Sequence, residues 1–196
     1  MKLIFILFLI TTFISTNIFS NENAENCSIK NVPTEERSFS NNFSGVFNGK
    51  RLDYVASLKE KVIYEKDNPN EPMASFFYTE YIVNSDKNRP IIFSFNGGPG
   101  SASLWLHMGV LGPKVIKVPS DASDDGSAPY KIEDNKLSPL SDADLVFIDP
   151  IGTGYSRAIG CHEPEEFWGV SEDPKIIAEF IRRWINDGIP YPCLSG

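Results

Sequence analysis

Apolar residues along this chain fall into short runs, and the spacing within each run predicts the element that it forms. Residues 51–66 alternate between apolar and polar positions, residues 67–72 carry the Asn and Pro residues of a turn, and residues 73–83 are rich in aromatic side chains. This order predicts a hairpin of two strands. The runs at 91–95 and 144–149 are short and continuously apolar. Such runs are typical of strands that are buried on both faces.

Two further segments have the pattern of helices. Between residues 174 and 187, apolar side chains recur at helical spacing, with Asp173 as the predicted N-cap and Gly188 as the stop. We expect this helix to cover one face of the sheet. A shorter helix is predicted at 102–109, ending at the Gly-Pro pair 112–113. Strand, helix, strand, helix in this order predicts an α/β fold with a parallel, right-handed crossover.

The N-terminal residues have the pattern of a targeting segment. Lys2, an apolar run and a small residue before a polar stretch are typical of a secretory signal peptide, which we place at 1–20. Residues 21–45 are rich in Asn, Ser and Glu without an apolar period, so they predict a mobile leader. One folded domain is expected at 46–196. The protein is therefore expected to be exported, and to have no membrane partner once the signal is cleaved.

Charge and cysteine content exclude some classes of function. The formal net charge is −8, with 26 acidic and 18 basic residues and no basic cluster, so no nucleic-acid partner is predicted. The spacing of the three cysteines and two histidines fits no metal site, so no metal and no cofactor are predicted. An odd number of cysteines leaves the disulfide pairing undetermined.

The strand predicted at 91–95 runs into the glycine-rich segment 96–100, Asn-Gly-Gly-Pro-Gly. Glycine adopts positive φ without a Cβ penalty, so successive N–H groups in such a segment can point into one small space. That arrangement suits an anion or a developing oxyanion. A plain turn between a strand and a helix is the alternative. A phosphate-binding loop is disfavoured because the segment lacks the pattern G-x-G-x-x-G.

Two segments together resemble the paired signatures of the serine carboxypeptidase family. They are residues 96–103, Asn-Gly-Gly-Pro-Gly-Ser-Ala-Ser, and residues 149–156, Asp-Pro-Ile-Gly-Thr-Gly-Tyr-Ser, with the Gly-Pro pair 112–113 between them. The sequence Phe-Trp-Gly at 167–169 resembles bacterial-type members of the family. The resemblance runs from about residue 72 to about residue 184. It implies an α/β-hydrolase fold and a serine-type carboxypeptidase, which releases C-terminal residues from peptides or proteins with a free C-terminus.

The resemblance also implies roles for individual positions in the two signatures. By resemblance these are Gly98 for the backbone donor to the oxyanion, Asn96, Gly97 and Trp105 for the substrate, and Gly100, Gly152 and Gly154 for the shape of the loops. For Trp105, a core aromatic is the alternative. Ser94 and Val110 stand where family members often carry Trp and an acidic residue, so the network that recognises the substrate carboxylate departs from the family pattern.

The chain shows no sequence for a catalytic triad. A nucleophile elbow has the pattern G-x-S-x-G, which occurs nowhere in the chain. Its nearest imitation contains Ser156, but a loop separates Ser156 from the preceding strand, and His162 follows too closely to complete a triad. Prolines at 190 and 192 argue against a central strand after the last helix. The predicted fold class is therefore the N-terminal part of an α/β-hydrolase mixed sheet, truncated before the nucleophile strand, and inactive alone.

Two other functions remain open from the sequence. An inactive exported remnant, or a peptide-binding module, would explain the missing triad, although the intact glycine loop disfavours it. A proline-releasing aminopeptidase of the same fold would favour His before Gly-Gly-Pro-Gly, where this chain has Asn96. The oligomeric state and the preferred substrate side chain are left open by the sequence.

Overall fold

The computed structural model describes residues 34–85, 88–97, 100–117, 121, 123 and 128–188. The signal peptide predicted at 1–20, the oxyanion donor predicted at Gly98 and the prolines at 190 and 192 lie outside the described residues. Among the residues described, no helix has the length and apolar character needed to cross a bilayer.

The described chain contains eight strands and two α-helices, joined by shorter helical turns. The strands are β1 (Ser38–Phe47), β2 (Lys50–Tyr64), β3 (Pro72–Val83), β4 (Ile91–Ser94), β5 (Lys114–Ile116), β6 (Ile132–Asp134), β7 (Asp144–Ile148) and β8 (Arg157–Ala158). The helices are α1 (Leu104–Leu106), a π-helical turn at His107–Leu111, 3-10 turns at Pro139–Ser141 and Pro164–Phe167, and α2 (Glu172–Gly188).

The main sheet has the strand order β1-β2-β3-β7-β4, with β8 paired to β3. The predicted hairpin is confirmed, because β2 and β3 pair antiparallel from Tyr54 opposite Val83 to Tyr64 opposite Pro72. Strands β4 and β7 are parallel neighbours, whereas the pairs β1–β2, β2–β3 and β3–β7 are antiparallel. The predicted α/β class with a mixed sheet is confirmed. Parallel pairing is limited to β4 and β7 among the described strands because β1, β2 and β3 follow one another through short turns.

Strand β1 corrects the predicted boundary of the leader. Residues 38–45, assigned to a mobile leader, belong to a strand that pairs with β2 at every step. The side chains of β1 are exposed on both faces up to Ser44, so no apolar alternation marks the strand. The sequence feature that could have revealed β1 is the Asn48-Gly49 pair that follows it. Both residues have positive φ, as the Asn-Gly pair of a type I′ hairpin does.

The two predicted helices also differ in detail from the structure. Helix α2 begins at Glu172, so Asp173 lies within its first turn and is not the N-cap. Acidic side chains in that turn face the positive end of the helix dipole. The segment predicted as one helix at 102–109 forms α1 followed by a π-helical turn, and it ends before Gly112 as expected.

Strand β7 separates the two parts of the core. Val146 and Ile148 pack with α2, while Leu145 and Phe147 pack in a second cluster. Because neighbouring side chains of a strand point to opposite faces, β7 is buried on both sides, as its continuous apolar run predicts. Helix α2 covers one face, where Phe180 is fully buried.

Candidate active site

The glycine loop leaves the end of β4 and is closed by the side chain of Asn96. The amide Nδ2 of Asn96 donates to the carbonyl oxygen of Ala102 at 2.8 Å and to Ser101 Oγ at 3.2 Å. Gly100 has a φ of 96°, which favours glycine. No atom lies within 4 Å of the position that a Cβ would occupy at Gly97 or Gly100. The described part of the loop therefore presents open backbone, while both Nδ2 hydrogens of Asn96 are used inside it.

A buried serine, Ser103, fastens the far end of the loop to the end of β7. Its hydroxyl donates to the carbonyl oxygen of Ile148, and its backbone N–H donates to Asp149 Oδ1 at 2.9 Å. The same hydroxyl accepts a longer bond of 3.4 Å from the N–H of Asn96. Sequence reasoning missed this link, which we call the Ser103–Asp149 clamp. The one sequence feature that could have indicated the clamp is Asp149, an aspartate directly after the buried strand β7.

Asp149 is the first residue of the second signature loop, and its carboxyl group contacts Ser103 at the end of the first. Burial raises the pKa of its carboxyl, and the bond from the Ser103 N–H opposes this shift without cancelling it. The other side of the carboxyl faces Gly154, which has a φ of 54°. A methyl group at Gly154 would overlap Oδ2 and lie 2.8 Å from Cγ of Asp149. The second loop therefore passes so close to Asp149 that only glycine fits.

The second loop, 149–156, is also covered from outside by Trp168. The indole Nε1 of Trp168 donates to the carbonyl oxygen of Ile151 at 3.1 Å. A Cβ at Gly152, where φ is 83°, would lie 3.0 Å from the indole ring. Trp168 therefore packs on the loop at the position of Gly152.

Ser156 has a structural role in this arrangement. Its side chain is buried, and Oγ accepts a hydrogen bond of 2.8 Å from the backbone N–H of Phe77 on β3. Its backbone N–H donates to the carbonyl oxygen of Thr153 at 2.9 Å. A hydroxyl held in this way ties the loop to the sheet and is not presented to a substrate.

We expect Ser156→Ala to lower the free energy of unfolding by about 2 kcal/mol, because the partly buried N–H of Phe77 loses its acceptor. Urea denaturation measures this change. Ser44→Ala, at an exposed position on β1, is the control and should change stability by less than about 0.5 kcal/mol. Unchanged stability combined with loss of a hydrolytic activity would instead make Ser156 a nucleophile.

The ring of His162 contacts two glutamates, Glu65 and Glu166. Its Nδ1 lies 2.8 Å from Glu166 Oε2, and its Nε2 lies 3.0 Å from Glu65 Oε1. Both ring nitrogens therefore face carboxylates, and none of the polar contacts of His162 involves Ser156. The two residues do not form a catalytic pair.

Trp105 projects into solvent from α1. Its side chain is 73% exposed, so the alternative role as a core aromatic is excluded. Leu104 beside it is also exposed. An exposed indole next to an open loop is available to contact a ligand, and its role in substrate binding remains a prediction.

His107 is a partly buried titratable group that lies close in sequence to the loop. Its Nε2 lies 2.6 Å from the hydroxyl of Tyr81, and its ring stacks on Phe147 with centroids 4.5 Å apart. Burial lowers the pKa of His107 to about 4 and raises that of Tyr81. Both groups are therefore neutral near pH 7, and the tyrosine hydroxyl and Nε2 share one hydrogen bond. Sequence reasoning had considered His107 only as a metal ligand.

The described residues contain no group of three or more His, Cys, Asp or Glu side chains that could hold a metal ion. Cys161 is disulfide-bonded, while Cys27 and Cys193 lie outside the described residues.

Comparison with known proteins gives one family. The family described as serine carboxypeptidase matches residues 54–187 of this chain. Carboxypeptidase Y homolog A of Ajellomyces capsulatus (strain NAm1 / WU24) is 33% identical over 103 residues, which cover 52% of this chain and 17% of that protein. Two proteins of Arabidopsis thaliana also match. Serine carboxypeptidase-like 9 is 32% identical over 119 residues, covering 59% of this chain and 25% of that protein. Serine carboxypeptidase-like 38 is 30% identical over 164 residues, covering 71% of this chain and 31% of that protein.

This chain therefore spans less than a third of the length of these relatives. No solved structure matches the chain at a significant level. These relatives come from a fungus and a plant, so they do not support the bacterial-type resemblance of the Phe-Trp-Gly sequence at 167–169.

Proposed function

The chain belongs to the serine carboxypeptidase family, and on that premise we propose that it supplies the substrate-facing loops of a serine-type carboxypeptidase. Such an enzyme releases the C-terminal residue of a peptide or protein through an acyl-enzyme. Its partner is a peptide with a free C-terminus. The apolar run after Lys2 supports export of the protein, and N-terminal sequencing of the mature protein would read the cleavage site.

The observation that carries this proposal is the meeting of the two signature loops at one edge of the sheet. Strands β4 and β7 are parallel, with Ser94 opposite Phe147, so both loops leave at carboxyl ends that lie side by side. The Ser103–Asp149 clamp joins the loops directly. In α/β sheets, ligands bind outside the carboxyl ends of parallel strands. A glycine loop with open backbone at this place suits a reacting carbonyl group.

In the proposed chemistry, attack on the scissile carbonyl places negative charge on its oxygen. Preorganised backbone N–H donors aimed at that oxygen stabilise the transition state. We assign one such donor to Gly98, between the open glycines Gly97 and Gly100. Asn96 is proposed to contact the terminal carboxylate, which requires one of its Nδ2 bonds inside the loop to open.

We further propose that the nucleophile, the acid and the histidine of the triad lie outside this sequence. One support is that the hydroxyl of Ser156 accepts a hydrogen bond from the backbone of β3. The other is that the chain has no G-x-S-x-G pattern. The 196-residue chain alone should therefore have no peptidase activity. Phosphonate-sensitive turnover by this chain that disappears in Ser156→Ala would contradict that assignment.

The proposed function is tested on the mature protein isolated from its natural source. A blocked dipeptide with a free carboxylate should be cleaved, and a serine-directed phosphonate should stop the reaction. The same dipeptide with an amidated C-terminus is the control for carboxylate recognition. Failure to cleave the free acid would overturn the proposal. Cleavage of a prolyl substrate with a free amino terminus would favour the aminopeptidase.

In the same assay we expect Trp105→Ala to raise KM about tenfold with little change in kcat, because an exposed indole contributes apolar contact to the terminal residue. Stability should be unchanged, since the side chain is 73% exposed. Val170→Ala, which truncates an exposed side chain elsewhere, is the matched control. Equal kinetics of the two variants would remove Trp105 from the site.

A further inference from the structure

Strand β1 forms one end of the main sheet. It pairs with β2 through all ten of its residues, and no other strand of the described chain pairs with its outer edge. An outer edge carries a row of backbone N–H and C=O groups that can accept another strand.

Natural proteins protect such edges with charged residues, prolines or bulges, and β1 has none of these. Its sequence, Ser-Phe-Ser-Asn-Asn-Phe-Ser-Gly-Val-Phe, contains no charged residue and no proline, and its register with β2 is regular throughout. The two basic residues that flank β1 form ion pairs with acidic residues of the same chain. Arg37 binds Glu60 at 2.7 Å, and Lys50 binds Asp142 at 2.7 Å. The edge therefore offers no electrostatic barrier to another strand.

The same strand exposes large apolar side chains. Phe39 is 68% exposed and Phe43 is 47% exposed, and their spacing of four residues puts them on one face. Phe43 is oriented by stacking on Tyr54 of β2, with ring centroids 5.8 Å apart. Two exposed aromatic rings beside an open edge favour a partner that covers both.

The order of residues in β1 indicates which partner fits. Residues 38–44 read Ser-Phe-Ser-Asn-Asn-Phe-Ser, which is nearly the same in reverse about Asn41. In an antiparallel pair of identical strands centred on Asn41, Phe39 lies opposite Phe43 of the second copy, and Ser38 lies opposite its Ser44. Such a twofold contact is isologous, so Phe39 of each copy meets Phe43 of the other, and the near-palindrome makes both members of these pairs the same residue type. A strand from a different protein would not require this symmetry.

We propose that two copies of this chain associate through β1, antiparallel about a twofold axis at Asn41, so that their sheets join into one. The outer backbone groups of each β1 then bond to the other copy. Phe39 of each chain packs against Phe43 of the other on one face of the joined sheet, and aromatic cross-strand pairs of this kind stabilise antiparallel sheets.

Cross-linking tests the register. Asn41→Cys places a cysteine next to the same residue of the second copy, at a spacing that a disulfide can bridge. Ser44→Cys is the control, since its two copies would lie about 20 Å apart along the strands. Both variants keep the native cysteines, so the difference between them reports the introduced one. We expect a covalent dimer on a non-reducing gel for Asn41→Cys only. A dimer from Ser44→Cys, or none from Asn41→Cys, would overturn this register.

Measuring the molar mass in solution by light scattering tests the association itself. The unsubstituted chain should reach the mass of a dimer as its concentration rises. Phe39→Lys should weaken association about tenfold or more, because it places a charge opposite Phe43 without disturbing a buried residue. Val46→Lys, on the same strand but outside the palindrome, should leave association unchanged. A monomeric mass at all concentrations, or equal effects of the two substitutions, would refute the proposed dimer.

Discussion

Replacing Gly154 with alanine is expected to lower the free energy of unfolding by about 4 kcal/mol. Two costs add up. Alanine at a φ of 54° costs about 1–2 kcal/mol because Cβ approaches the next carbonyl oxygen. The new methyl group also displaces the Asp149 carboxylate, which breaks its bond to the Ser103 N–H and costs about 1.5–3 kcal/mol. Chemical denaturation monitored by circular dichroism measures the sum.

The matched control for this substitution is Gly49→Ala. Gly49 also has a positive φ, of 77°, but no atom lies within 4 Å of the position that its Cβ would take. Its substitution should therefore cost only the backbone term, about 1–2 kcal/mol. If both variants lose the same stability, the Ser103–Asp149 clamp does not depend on the close approach of Gly154.

Lowering the pH from 6.5 to about 4 is expected to remove about 3 kcal/mol of stability through His107 alone. Burial depresses the pKa of His107 in the folded protein to about 4, against an ordinary value of 6.5. Between these two pH values the unfolded chain binds a proton at His107, whereas the folded chain does not. The stabilisation is fully present above pH 6.5 and is lost as the pH falls through the folded pKa.

Urea titrations between pH 7 and pH 4 measure this effect. The variant His107→Gln separates the titration of His107 from that of the carboxyl groups, which also change charge in this pH range. The variant should show a flatter pH dependence than the unsubstituted protein, even if it is less stable at pH 7. His162→Gln is the control, because His162 lies between two carboxylates away from the Tyr81–His107 pair and leaves that pair intact. Equal pH dependence with and without His107 would show that its ring is already protonated or solvated in the folded state.

Both predictions concern contacts next to the glycine loop. The Ser103–Asp149 clamp holds the end of the loop against β7, while His107, the first residue of the π-helical turn after α1, contacts Tyr81 of β3. If the loop stabilises an oxyanion, its precision depends on both supports. Loss of either support should therefore reduce the proposed peptidase activity of the mature protein through the position of the loop.

Strongly periodic segments were predictable from the sequence because burial leaves a regular pattern. The hairpin of β2 and β3, the buried strand β7 and the amphipathic helix α2 each carry such a pattern, and the structure has all of them. Strand β1 was missed because its stabilisation comes from backbone pairing with β2, and exposed side chains leave no apolar period. The start of α2 was misplaced by two residues, since the first turn of a helix is set by local hydrogen bonds.

The sequence by itself determined the family of this protein, the class of its sheet and the glycine-rich composition of both loops, because these properties reside in the order of residues along the chain. Only the tertiary structure decided how the loops are joined. Ser103 and Asp149 lie far apart in sequence, and their hydrogen bond exists because β4 and β7 pair in parallel. The structure likewise decided that Ser156 binds the backbone of β3 and that His107 is partly buried and neutral, since partners and burial depend on the distant residues that folding brings together.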